Sequence, residues 1–149
     1  RGALPGKEIL PYVTFQTLGA CVAAIIGNYI TGGSVALAPN PEFPLLSSIL
    51  VEFFFTFALA LTVLNVATAK GTENNSFYGL AIGFMVMCAA FAGGGISGGA
   101  FNPAVGIGLS LGALLENTGG NWILLYIIVP VLGGACAAYA FKLQGNEDP

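Results

Sequence analysis

Asn102, Pro103 and Ala104 follow directly on the run Ser97-Gly98-Gly99-Ala100-Phe101, inside a chain with almost no charge. Asparagine is a good helix N-cap, and proline is accommodated at the first helical position, where its missing N–H has no intrahelical role. In a water-soluble protein this would be an ordinary helix start. In a membrane the same residues put the positive end of a helix, its open N–H groups and a side-chain amide at mid-depth. Irregular backbone persists at membrane depth only where protein buries it or where it borders a wet cavity. The chemistry on offer is polar and non-covalent, the mark of a pore.

Covalent chemistry finds little support elsewhere. The chain has no histidine, so the commonest general base and the commonest metal ligand are both missing. Cys21, Cys88 and Cys136 fall within apolar stretches, where free cysteine behaves as a small hydrophobe. No nucleophile–base arrangement, phosphate-binding loop or dinucleotide fingerprint is present. The reading is of a non-enzyme, with no cofactor, no metal site and no nucleic-acid partner.

The elements that would hold Asn102 are membrane helices. Hydrophobic residues make up 56% of the chain and charged residues 7%, with a mean hydropathy of +0.84. Four stretches have the roughly 20 apolar residues a span requires: 10–30, 45–68, 78–94 and 121–141. Residues 103–115 would rise only about 20 Å, short of a hydrocarbon core about 30 Å thick. They form a half-helix, and 143–149 read as a polar tail. The fold class expected is all-α and membrane-integral, with residues 1–149 as one domain.

Orientation comes from the four basic residues. Arg1 and Lys7 precede the first span, Lys70 lies between the second and third, and Lys142 follows the last. Alternating spans put all four on one face, so both chain ends are expected on the cytoplasmic side or its equivalent. Trp122 and Tyr126, near a span end, suit the interfacial aromatic belt.

Residues 12–24 align without gaps on 126–138, with Tyr, Leu, Gly, Ala and Ala identical at five positions. Two readings are open: convergence of small residues on membrane helices, or equivalent helices of two inverted halves. Gly19/Ala23 and Gly133/Ala137 have the spacing that lets helix backbones approach closely. On the second reading, two spans and a first half-helix precede residue 1. The chain would then be a fragment, or a short form completed by another chain.

Five features occur in order: Pro11-Tyr12…Gln16…Gly19-Ala20, then Glu52 within 51–68, then Tyr78-Gly79-Leu80-Ala81-Ile82-Gly83, then 97–104, then Trp122…Pro130…Gly133. They resemble the third, fourth and fifth helices, the pore loop and the sixth helix of the major intrinsic proteins, the family of aquaporins and glycerol facilitators. The chain is similar to their C-terminal two-thirds. The resemblance implies an aquaporin-like bundle of four transmembrane helices plus one re-entrant half-helix, lacking the first two helices and the first half-helix. It also implies a homotetramer with one pore per subunit.

On this resemblance Asn102 donates its amide to a passing water or hydroxyl oxygen, and the half-helix from Pro103 aims its positive end at the same point. The glycines before it either bring carbonyl groups to the lumen or make a plain flexible turn. Glu52 is costly in an apolar span and so marks function. The family reading makes it a support for the pore loop, against a proton relay or a solvated helix end. The departure lies at the outer selectivity filter. Most members carry arginine directly after the Asn-Pro-Ala, where this chain has Val105, and the other filter positions become Ala90 and Gly99. The expected function is a channel for water and small neutral solutes, with an apolar, wide neck that admits glycerol, urea or ammonia, or dewets and conducts poorly. The alternative is a non-conducting structural subunit of a larger membrane complex.

Overall fold

The computed structural model describes residues 4–33, 37–115 and 122–145. It holds five helices, α1 (Gly6–Thr31), α2 (Leu45–Val63), α3 (Tyr78–Ser97), α4 (Pro103–Leu115) and α5 (Ile123–Leu143), and no strand among the described residues. Four are long and apolar enough to cross a membrane; α4, with 13 residues, is not.

The helix limits follow local chemistry. Pro5 and Pro44 precede α1 and α2 in extended conformations, and Pro103 opens α4, where no N–H is needed. Gly32 closes α1 at a φ of +72°, a left-handed cap that returns its N–H to Asn28 O. At the far end, α2 widens into a π turn over Leu64–Thr68 and a 3-10 turn over Lys70–Thr72. Thr72 Oγ donates to Asn65 O and Asn75 Nδ2 to Val66 O, giving the loosened turn's carbonyl groups partners. Some limits differ from the expected spans. α1 starts four residues before 10 and carries Pro11 inside it, and α3 runs past 94 through its glycines to Ser97. Residue 121 and the tail 146–149 lie outside the described residues.

The helices pack in the spatial order α3, α2, α5, α4, α1. The contacts are backbone-close, as helices in lipid require when no water drives them together. A Cβ on Gly133 of α5 would lie 2.6 Å from Phe53 O of α2, and one on Gly108 of α4 would lie 2.6 Å from Ala20 O of α1. Among the described residues α1 packs on α4 alone, with Asn28 Nδ2 donating to Gly112 O at 3.3 Å.

Two sequence expectations are corrected here. The small residues of α1 that meet a neighbour are Ala20 and Ala24, not Gly19 and Ala23, which are exposed. The active face of α1 is rotated by one residue from the one the repeat indicated. Tyr126 is not an interfacial belt residue: it is fully buried, part of a small core with Leu37 and Ala100. The two aligned segments therefore differ in environment. On α5 the stripe Tyr126, Pro130, Gly133, Ala137, Phe141 is buried, whereas Tyr12, Gln16, Gly19 and Ala23 at the aligned positions of α1 are exposed.

Candidate functional site: the loop between α3 and α4

Five residues connect α3 to α4, and three of them have positive φ: Gly98 (+89°), Gly99 (+75°) and Phe101 (+48°). Glycine takes that conformation without cost, but phenylalanine loses about 1–2 kcal/mol there. Phe101 is held by its surroundings. Its side chain is buried, and its ring meets Phe55 edge-on with centroids 5.5 Å apart. Its N–H donates to Glu52 Oε2 at 2.7 Å.

Glu52 lies fully buried in α2 beneath the loop. Its Oε1 accepts from Ser97 Oγ at 2.8 Å and from Ala100 N at 3.0 Å. Ser97 Oγ in turn accepts from Gly99 N at 3.1 Å. Two main-chain N–H groups and a hydroxyl thus converge on one carboxylate, the form of pairing that makes a buried acid tolerable. Tyr126 OH donates to Ser97 O from the α5 side, and Ser48, one turn before Glu52, donates to Ile96 O at 3.0 Å.

The loop delivers the chain to Asn102, which is exposed. Its Oδ1 accepts from Ala104 N at 2.9 Å and its backbone O accepts from Gly106 N at 2.9 Å, the pattern of an N-cap. The acceptor side of the amide is thus engaged. Nδ2, the donor, has no partner among the described residues. Pro103 and Ala104, in the first turn of α4, are half-buried.

Ala90 is exposed on α3, one turn before Gly94 on the same face. Gly99 folds back onto that face, so that a Cβ on it would stand 3.2 Å from Gly94 Cα. Val105 projects from the first turn of α4, 36% exposed. No charged group belongs to this set. Among the described residues no cluster of three or more His, Cys, Asp or Glu side chains could hold a metal. Sequence reasoning missed Ser48, Tyr126 and Asn40, which donate to the carbonyl groups of Gly95, Ile96 and Ser97 where α3 enters the loop. The signal for Ser48 was its place four residues before Glu52; the other two lie too far from the loop in sequence to give one.

A short helix opened by Asn-Pro is reached through a loop that hangs from a buried glutamate. The family model described as major intrinsic protein matches residues 2–141. The chain belongs to this family. Similar major intrinsic proteins include aquaporin AqpM of Methanothermobacter marburgensis, 30% identical over 96% of this chain and 61% of the relative. Glycerol uptake facilitator protein-like 6 of Lactiplantibacillus plantarum is 31% identical over 97% of this chain and 68% of its own length. Aquaporin TIP2-3 of Zea mays is 34% identical over 87% and 52%. The chain thus spans about three-fifths of the length of the archaeal relative. With family membership and four long apolar helices, it is an integral, multi-pass membrane protein.

Proposed function

We propose that the chain lines a membrane channel for passive flow of water and small neutral solutes. The observation that carries this reading is the state of Asn102, whose Oδ1 is taken up by Ala104 N–H while Nδ2 stays open on an exposed face. A donor fixed in one orientation at the positive end of a short helix favours an oxygen lone pair and disfavours a cation. Glu52 acts as loop support rather than a proton relay, since both its oxygens are already engaged by loop donors.

Ala90, Gly99 and Val105 form the outer neck on this reading. None can carry a fixed charge, and all are small or aliphatic, which supports passage of glycerol, urea or ammonia beside water. Lys7, Lys70 and Lys142 support an orientation with both ends on the cytoplasmic side or its equivalent. Assembly as a homotetramer follows from the family resemblance.

Stopped-flow light scattering on proteoliposomes tests the reading with water, glycerol and urea. Fast flux of all three is expected. Val105→Arg is expected to cut glycerol and urea flux far more than water flux, because it adds bulk and charge at the neck. A second reading, a non-conducting subunit, is favoured by the exposed stripe on α1, which is suited to cover by further polypeptide. Vesicles that pass no solute faster than protein-free ones support that reading and overturn the first.

A further inference from the structure

An α-helix leaves its last four carbonyl groups without intrahelical partners. At the end of α3 those belong to Gly94, Gly95, Ile96 and Ser97, and all four are engaged. Gly98 N donates to Gly94 O at 2.9 Å. Tyr126 OH donates to Ser97 O. The linker between α1 and α2 reaches the middle two: Asn40 Nδ2 donates to Gly95 O at 2.9 Å and Asn40 N to Ile96 O at 2.9 Å, a carbonyl that also accepts from Ser48 Oγ of α2 at 3.0 Å.

Asn40 is itself fully used. Its Oδ1 accepts from Glu42 N at 2.9 Å, and its backbone O from Phe43 N at 3.1 Å, so the residue closes its own turn while gripping α3. Three residues earlier, Leu37 is buried; a Cβ on Gly98 would come within 2.8 Å of its Cδ1. The linker therefore presses on the first glycine of the Asn102 loop and ties the two carbonyls just ahead of it. The body of α3 does not depend on this tie, because Gly93 already packs against Val51 of α2.

We propose that Asn40 is a positioning residue for solute selection: its clamp on Gly95 and Ile96 sets the last turn of α3, and through it the place of Gly99 in the neck. The proposal rests on the channel reading above and adds to it a residue outside the loop that governs which solutes pass.

Two variants separate the parts of the clamp. Asn40→Asp keeps the Oδ acceptor for Glu42 N–H and the backbone bond to Ile96, and replaces the donor to Gly95 O by an oxygen that repels it. Asn40→Ala loses both side-chain bonds. The full-length gene product is reconstituted in proteoliposomes, and two quantities are measured: the glycerol-to-water permeability ratio, and hydrogen exchange at the amides of Gly99, Ala100 and Phe101. Asn40→Asp is expected to speed exchange roughly 2- to 12-fold, the effect of one net hydrogen bond, and Asn40→Ala by at least as much, and both are expected to shift the permeability ratio. Unchanged exchange in both variants overturns the proposal. Faster exchange with an unchanged ratio also overturns it, since a tie with only a structural role behaves that way. If the wild type passes no solute, the channel reading fails, and the exchange data alone decide whether Asn40 holds the loop.

Discussion

Replacing Glu52 by leucine removes both acceptors beneath the loop at nearly constant volume. Three donors lose their partner. Ser97 Oγ has an alternative in Gly93 O, at 3.4 Å, but the N–H groups of Ala100 and Phe101 have none. Each orphaned buried N–H costs about 1–3 kcal/mol, so the pair costs about 2–6 kcal/mol. The left-handed backbone of Phe101, which costs about 1–2 kcal/mol by itself, loses one of its holds at the same moment. Gly133 still packs α5 on α2, so this cost is expected to appear as rearrangement of the loop rather than loss of the fold. Glu52→Gln is the finer probe. Its one oxygen serves one N–H and its amide nitrogen turns a donor toward the other, leaving one orphan. Amide exchange at Ala100 and Phe101 is expected to rise about 5- to 150-fold in Glu52→Gln and further in Glu52→Leu, with water permeability falling in both. Mass spectrometry of peptides covering 97–104 reads the exchange. Rates within twofold of wild type in both variants would refute the reasoning.

Three further outcomes are expected. Asn102→Asp keeps the acceptor for Ala104 N–H, and aspartate caps helices as well as asparagine does; thermal stability should hold, while monovalent cations enter vesicles that the wild type keeps closed to them. Gly108→Ala sets a methyl group against the backbone of Ala20, an overpacking that costs about 1–3 kcal/mol. Gly112→Ala meets Asn28 Nδ2 at 3.2 Å and Ala24 Cβ at 3.3 Å, side-chain contacts milder than the 2.6 Å approach to backbone at Gly108, so detergent melting curves should show the larger drop in Tm for the first. Phe101→Ala and Phe101→Gly both lose the ring, but alanine still bears the left-handed cost at a φ of +48°. The glycine variant should therefore be the more stable by about 1 kcal/mol, the reverse of the usual order.

Much of the fold was legible because its signals are local. Four runs of apolar residues and one short one translate directly into four long helices and a short one, and the loop-to-helix transition at Asn102-Pro103 follows from capping chemistry. What was not legible depends on rotation or on distance. Small residues on α1 occur at 19, 20, 23 and 24, so spacing alone allowed two faces a residue apart, and the packed one is 20/24. Tyr126 has the place of a belt residue near a helix start, yet the demand of Ser97 O for a donor draws it inward. Asn40 sits between two prolines in the linker before α2, and nothing in that local sequence points to the end of α3, 55 residues on. A carboxylate in the second span needs donors on energetic grounds; two main-chain N–H groups come within reach of it only because Phe101 adopts a backbone conformation that no propensity favours.

The attachment of α1 to α4 bears on how the protein is built in the bilayer. α1 leaves the ribosome some 70 residues ahead of α4, the one helix it packs against among the described residues, and so has to sit in the bilayer without that partner until α4 arrives. With 26 residues it is long enough to do so. α4 is too short to stay at depth unaided, and it settles only between a waiting α1 and an arriving α5. Assembly thus proceeds with the long segments seated first and the stub wedged between them last, and a lesion at Gly108 would show up as a defect of biogenesis before it showed as one of transport.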